Sequence, residues 1–232
     1  MNNKTIIFDF GATLDTNGIH WFYVFKQEHL KYNSFLSDEQ LRDAYIYGEQ
    51  TIAKQHLINS EDNFLQTLIV KVGLQYERLF QQGVILENMY HIQEVAQACY
   101  LFAKQNILYV KPMLEDLAND YRLAIVSNFY GNLESVLRDY GIRDLFEVVV
   151  ESAVIGVSKP DKKLLLTCFQ QMNIKPEQAI VVGDSYKKDI SPAKQLGSKT
   201  IWLKGKSWKE TPTFTPLADK TITDILELKT VI

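Results

Sequence analysis

The stretch KTIIFDFGATLD, Lys4–Asp15, decides the fold of this chain. Its residues Thr5–Phe8 are β-branched or apolar on both faces, which predicts a central strand of a parallel sheet covered by helices on each side. Asp9 follows directly and therefore lies at the carboxyl end of that strand, where open α/β sheets bind ligands. An aspartate close to a glycine is also common in turns, so this stretch alone leaves the role of Asp9 open.

A helical block follows this first strand. Residues 18–105 contain no proline, and their apolar residues recur at a spacing of three to four, as in amphipathic helices. Ser37 with Gln40 forms a capping-box pattern, and Ser60 with Asn63 offers a second signal for a helix start. The pattern predicts a small bundle of four helices, near residues 19–31, 38–57, 61–81 and 86–105.

After Pro112 strands alternate with helices to the end of the chain. Repeated βα units predict a parallel sheet with right-handed crossovers, hence a doubly wound α/β fold with the helical bundle inserted after the first strand. We predict two domains: a base of residues 1–15 and 109–232, and a cap of residues 16–108. The base is predicted to contain strands at 123–127, 148–151, 179–183 and 199–203, and helices near 112–120, 131–140, 160–172 and 187–196.

Composition narrows the kind of partner. The 232 residues carry 25 Lys plus Arg against 28 Asp plus Glu, a net charge of −3, without a long run of either sign that would suggest binding to nucleic acid or a membrane surface. Cys99 and Cys168 lie in helical patterns and are expected to be buried free thiols, as in a reducing cytoplasm. Neither a secretion signal nor a membrane span is recognisable, so we expect a cytoplasmic monomer or homodimer acting on a small molecule.

Polar residues recur where the strands of the base end. Each has an ordinary interpretation as a turn residue, a helix cap or a solvated side chain. Because the carboxyl ends of parallel strands meet at one edge of a sheet, we expect these residues to form one site. The candidates are Asp9, Ser127, Asn128, Lys159, Asp184 and Asp189.

Four segments of the base, FDFGATLD, VSN, SKPD and GDSYKKD, together resemble the four motifs of the haloacid dehalogenase-like hydrolase superfamily. The helical block lies where many members of that superfamily carry a C1-type cap. The resemblance implies the strand order 3-2-1-4-5, with Asp9 and Asp184 on adjacent strands. It also implies a phosphatase that acts on a small phosphorylated metabolite.

The resemblance further implies a role for each candidate. Asp9 would attack phosphorus, and Mg²⁺ would be held by Asp9, Asp184 and the backbone carbonyl of Gly11. Ser127, Asn128 and Lys159 would bind the phosphoryl group, with Ser127 and Lys159 counted as catalytic. Asp189 would hydrogen-bond to Lys159, or to a water bound to the metal, and so hold it in position. From its place at the start of the cap, we add His20 as a candidate substrate contact.

Gly11 departs from the pattern, because phosphatases of this superfamily usually place a second aspartate there as the general acid. Its absence would weigh most on poor leaving groups. We expect Asp15 to brace the turn rather than replace this acid. Three alternatives stay open: a 2-haloacid dehalogenase, a phosphonate hydrolase that needs a cap lysine, and a binding or regulatory protein with weak catalysis.

Overall fold

A computed structural model of the chain describes residues 4–208 and 218–232. The described residues form a six-stranded parallel sheet with helices on both faces. The strands are β1 Thr5–Phe8, β2 Arg122–Ser127, β3 Val148–Glu151, β4 Ala179–Gly183, β5 Lys199–Leu203 and β6 Lys220–Ile222. The helices are α1 Trp21–Tyr32, α2 Asp38–Gln55, α3 Phe64–Gln81, α4 Ile92–Asp120, α5 Leu133–Asp139, α6 Ser152–Ile155, α7 Lys163–Met172, α8 Ser191–Leu196 and α9 Leu228–Val231.

The strand order is β3-β2-β1-β4-β5-β6, so the predicted order 3-2-1-4-5 is confirmed, with one more strand at the edge. β6 was missed because three residues are too short to show the alternation that marks a strand. Phe8 pairs with Ile125 of β2 on one side and with Val182 of β4 on the other. Asp9, the next residue, therefore emerges between the carboxyl ends of β2 and β4, where the strand order reverses.

Four helices, α1 to α4, are inserted between β1 and β2 as predicted, but their bounds differ in two places. The capping box at Ser37 and Gln40 is confirmed, whereas α3 is capped by Asn63 with Gln66 and begins at Phe64 rather than near residue 61. Asn63 is the cap because its carboxamide oxygen accepts the backbone N–H of Gln66, while its own backbone N–H donates to Gln66 Oε1.

The predicted break between helices 86–105 and 112–120 is wrong. A single helix, α4, runs through Ile92–Asp120 with Pro112 inside it. Its buried face continues past the proline through Val110, Met113 and Leu117, so packing outweighs the lost backbone hydrogen bond. The predicted domain boundary at 108/109 falls inside this helix and stays a prediction. The names cap and base refer to the predicted ranges, residues 16–108 for the cap and residues 1–15 and 109–232 for the base.

Candidate active site

Asp9 lies at the centre of the predicted site. Its backbone N–H donates to the carbonyl of Val182 at 2.9 Å, which fixes the residue at the end of β1. Its Oδ1 atom accepts a hydrogen bond from Ser127 Oγ at 2.8 Å and lies 2.7 Å from Lys159 Nζ. The structure therefore brings together three residues that are separated by up to 150 positions in the sequence.

Lys159 is 6% exposed, and three oxygen atoms lie within 3.0 Å of its ammonium nitrogen. Nζ contacts Asp9 Oδ1, Asp189 Oδ1 at 2.6 Å and the carbonyl of Val126 at 3.0 Å. Burial alone would lower the pKa of Lys159, but Asp189 and Asp9 outweigh it and raise that pKa. Lys159 is thus a fixed cation at physiological pH.

Asn128 holds the segment that carries Lys159. Its side-chain oxygen accepts the backbone N–H of Lys159 at 2.8 Å, and its amide nitrogen donates to the Lys159 carbonyl at 3.2 Å. This pair of bonds ties the end of β2 to the loop before α7. The amide of Asn128 is therefore engaged with backbone, and its role in binding substrate stays a prediction.

Asp189 reaches Lys159 because of a π-helical turn at Tyr186–Ile190, an irregularity frequent at functional sites. Its Oδ2 accepts the backbone N–H of Ser185 at 3.0 Å, so the side chain folds back onto the end of β4. A Cβ at Gly183 would lie 2.6 Å from the Asp189 side chain. Gly183 must therefore lack a side chain for Asp189 to occupy this place.

Asp184 stands beside the turn that follows β1. Thr13 Oγ1 donates to Asp184 Oδ1 at 3.3 Å and accepts the Asp184 backbone N–H at 3.1 Å. The Trp202 indole N–H donates to the Asp184 carbonyl at 2.8 Å. These contacts fix the two turns relative to one another across the carboxyl edge of the sheet.

Carboxylate oxygens from Asp9, Asp184 and Asp189 all lie within 4.8 Å of one another. Burial, followed by the charges of Asp189 and Asp9, raises the pKa of Asp184 well above its usual value. Burial also raises the pKa of Asp189 to about 6, against the opposing effect of Lys159. One ammonium thus faces three carboxyl groups, and the oxygen donors with their surplus negative charge fit a hard divalent cation.

Gly11 borders this cluster. Among the described residues no heavy atom lies within 4 Å of the position that a Cβ on Gly11 would take. Packing therefore does not require glycine here, and a side chain would have room. Steric crowding therefore does not explain why the second aspartate is missing.

Asp15 braces the turn as expected. Its two carboxylate oxygens accept the backbone N–H of Ala12 at 2.7 Å and the indole N–H of Trp21 at 2.8 Å. Ala12 has a φ of 64°, a left-handed conformation that these contacts help to hold. Burial raises the pKa of Asp15 to about 7. Because Trp21 begins α1, Asp15 also ties the turn to the cap.

His20 caps α1, since its Nδ1 accepts the backbone N–H of Phe22 at 3.2 Å. Burial and then the charge of Lys188 lower the pKa of His20 to about 4, so the ring is neutral at pH 7. The ring packs 5.3 Å from Trp208, which places Trp208 against the cap, and 5.8 Å from Tyr45. Its contact with substrate stays a prediction.

A second polar cluster, which the sequence analysis missed, joins cap and base. Lys71 of α3 lies 2.7 Å from Glu49 Oε1 of α2 and donates to the Tyr130 hydroxyl at 2.7 Å, and that hydroxyl donates to Glu49 Oε2 at 2.8 Å. We call Glu49, Lys71 and Tyr130 the cap–base cluster. The sequence does mark Lys71 as unusual: it follows Leu68 by three positions and so lies on the apolar face of its helix.

Comparison with known proteins supports the same fold. The family model described as haloacid dehalogenase-like hydrolase matches residues 6–203. A glyceraldehyde 3-phosphate phosphatase of Pyrococcus furiosus is 40% identical over 41% of this chain, and the match covers only 40% of that relative's length. A phosphoserine phosphatase of Thermus thermophilus is 26% identical over 71% of this chain and 68% of its own.

Among solved structures, the HAD-hydrolase YfnB from Bacillus subtilis, described as bound to magnesium, superposes with a TM-score of 0.62. It is 17% identical, with 100% of this chain and 99% of that chain covered, a likeness that concerns the fold. Within residues 4–208 and 218–232, no helix is both long and apolar enough to cross a membrane.

Proposed function

Because the chain belongs to the haloacid dehalogenase-like hydrolase family, we propose that it is a phosphatase that hydrolyses the phosphate ester of a small metabolite. One observation carries the proposal: Asp9, at the strand-order reversal, shares its Oδ1 with Ser127 and Lys159 and has Asp184 nearby. The names of the relatives from Pyrococcus furiosus and Thermus thermophilus support a phosphatase.

Asp9 is the nucleophile in this proposal. The contacts described at its carboxylate fall on Oδ1, which leaves Oδ2 to attack phosphorus. The bond from phosphorus to the leaving oxygen breaks as an aspartyl phosphate forms. Water then attacks phosphorus, releasing phosphate and restoring the carboxylate. Ser127 and Lys159 donate to the phosphoryl oxygens, and Asp189 holds the ammonium of Lys159 in position.

Mg²⁺ is the cofactor in this proposal, and Asp9, Asp184 and the carbonyl of Gly11 would hold it. When bound, it supplies positive charge that stabilises the charge developing on the phosphoryl group. The residues fit such an ion, because carboxylate oxygens of Asp9, Asp184 and Asp189 lie within 4.8 Å of one another, and burial followed by the charges of Asp189 and Asp9 raises the pKa of Asp184. A cytoplasmic location and a monomeric or homodimeric state stay predictions.

Gly11 gives the proposed phosphatase a leaving-group preference. General acid catalysis is typically worth about 10²–10⁴-fold, and no side chain at position 11 provides it. Aryl and acyl phosphates, whose leaving groups depart without a proton, are therefore the preferred substrates. With an alkyl phosphate, the leaving alkoxide must take its proton from water or from another group of the substrate.

The alternatives are weaker on specific grounds. A haloacid dehalogenase would not need the general acid, but it also has no use for three clustered carboxyl groups beside an anionic substrate. A phosphonate hydrolase needs a neutral cap lysine to form a Schiff base. Burial alone would lower the pKa of Lys71, but Glu49 and Tyr45 outweigh it and raise that pKa, so the amine stays protonated.

The test is hydrolysis of p-nitrophenyl phosphate and acetyl phosphate with Mg²⁺ or with EDTA. We expect turnover that requires Mg²⁺ and is lost in Asp9→Asn, whereas Asp120→Asn, an exposed change at the end of α4, keeps it. Activity that survives EDTA would contradict the metal assignment, and activity that survives Asp9→Asn would contradict the nucleophile. Ligand binding without any product would support the binding-protein alternative instead.

A further inference from the structure

Lys71 is a buried cation that the proposed chemistry does not use. The residue is 4% exposed, and together with Lys159 it makes up the buried lysines of the described chain. Two of its ammonium contacts are polar, to Glu49 and Tyr130. Otherwise the ammonium faces aromatic rings, with the Tyr130 ring centroid at 4.8 Å and that of Phe25 at 5.4 Å.

Stability alone does not explain this arrangement. Removing two charged side chains from water is costly, and well-packed apolar residues of similar volume are often at least as stable. A buried ion pair that joins two parts of a molecule near a cleft is therefore a candidate for function. Lys71 and Glu49 belong to the cap, whereas Tyr130 belongs to the base.

The cap–base cluster is connected to the proposed site through the segment that follows β2. Tyr130 is three residues beyond Ser127, the partner of Asp9, and the ring of the intervening Phe129 contacts that of Phe10 at 5.7 Å. The charge of Lys71 contributes to lowering the pKa of His20 and opposes the rise at Asp15, the residues on either side of the chain's entry into the cap. Lys71 therefore lies close enough to His20 and Asp15 for its charge to affect both residues.

Lys159 contacts Asp9, Asp189 and the Val126 carbonyl, and the proposed function assigns it to the phosphoryl group, so a second anionic group on the substrate needs a different cation. Building on the phosphatase function proposed above, we propose that Lys71 and the Tyr130 hydroxyl bind a carboxylate on the leaving alcohol of the substrate. Among alkyl phosphates, the phosphate esters of small hydroxy acids are then preferred.

Glu49 is the counterion that the substrate replaces. Its side chain is 30% exposed against 5% for Lys71, so Glu49 can turn towards solvent while Lys71 stays in place. The incoming carboxylate then accepts from Lys71 and from the Tyr130 hydroxyl, the same two donors that Glu49 uses without substrate. The charge of the cluster is conserved in this exchange, which limits its cost.

The experiment compares O-phosphoserine with O-phosphoethanolamine, which differ by the carboxylate alone, and uses the ratio of their kcat/KM values as the readout. In the wild-type protein we expect a ratio of about ten or more, the order expected for a charge-assisted hydrogen-bonded pair. Lys71→Met should bring the ratio close to one. The control Lys54→Met, an exposed lysine of the same cap, should keep the wild-type ratio.

A variant with the opposite expected sign guards against loss of folding. Glu49→Gln removes the competing carboxylate, so the ratio should rise above the wild-type value, which general destabilisation does not produce. A wild-type ratio near one, the wild-type ratio retained in Lys71→Met, or a ratio in Glu49→Gln that does not rise would each overturn the inference. If the wild-type protein hydrolyses neither ester but does hydrolyse p-nitrophenyl phosphate, only the inference fails. If it hydrolyses none of the three, the proposed function fails as well.

Discussion

Lys159 in the base and Lys71 at the cap–base boundary are both buried ammonium groups, yet their surroundings differ in charge. Lys159 contacts Asp9 and Asp189 and has Asp184 close by, so its cluster keeps a surplus of negative charge. Lys71 faces one carboxylate, a phenol hydroxyl and aromatic rings, so the positive and negative charges of its cluster are equal. The first arrangement favours binding a cation, whereas the second accepts an anion only by exchange.

The largest expected effect comes from removing the cation of the base. Lys159→Met leaves Asp9 and Asp189 without their partner, so the free energy of unfolding should fall by about 3–5 kcal/mol in the absence of added metal. Turnover of p-nitrophenyl phosphate should fall by about 10²–10³-fold, because a donor to the phosphoryl oxygens is lost. Chemical denaturation and steady-state kinetics measure the two effects.

Lys163→Met, an exposed change at the start of α7, is the control for this prediction. A Lys159→Met protein with wild-type stability and turnover would mean that the two buried lysines do not differ in the way proposed here.

Asp15 is affected by a charge of each cluster: besides the dominant effect of burial, Asp9 raises its pKa and Lys71 lowers it. Its folded pKa of about 7 lies above the unfolded value of 3.8, so between these values the folded state holds a proton that the unfolded state has released. Stability should therefore fall as the pH rises from 4 to 7, by at most about 4 kcal/mol from this group.

Urea unfolding from pH 4 to 8 in EDTA tests this expectation. Asp15→Asn should lose part of the wild-type decline, because asparagine does not titrate. Parallel pH profiles for the two proteins would show that Asp15 does not titrate in this range.

A smaller gain is expected from restoring the missing acid. Gly11→Asp places a carboxyl group in space that the described residues leave open. We expect turnover of alkyl phosphates to rise about tenfold, a part of the usual general-acid effect, and turnover of aryl phosphates to rise less. Equal changes for both ester classes, measured with Mg²⁺ present, would contradict the role assigned to this position.

Tyr130→Phe should have the smallest effect. It keeps the ring but removes the hydroxyl that joins Lys71 to Glu49, so the free energy of unfolding should fall by about 1–2 kcal/mol. Tyr32→Phe, at a ring that is 42% exposed, is the matched control. A Tyr130→Phe protein as stable as this control would show that the cap–base cluster does not hold the two parts together.

The sheet of the base, and the meeting of the candidate residues at one edge of it, were predictable because both follow local rules. Asp9, Ser127 and Asp184 each end a buried strand, and parallel strands bring their carboxyl ends to one edge whatever the distance along the chain. The contact of Lys159 with Asp189 depends on a π-helical turn, and no pattern in the sequence of that segment predicts this turn.

The cap–base cluster was not predictable for a different reason. Lys71, Glu49 and Tyr130 come from three elements, and their meeting depends on how the helices pack on the base. A lysine on an apolar stripe is a visible irregularity, but its partners are not encoded in any short spacing. Packing likewise decided the fate of Pro112, whose helix continues because its buried face does.

The long helix α4 makes the two connections between cap and base mechanically unequal. The chain enters the cap through the loop that follows Asp15, but it returns through 29 residues of continuous helix, about 44 Å long. A loop absorbs a change of angle within a few residues, whereas a helix transmits it as a lever. A change of angle between cap and base is therefore absorbed more readily in the loop after Asp15 than along α4.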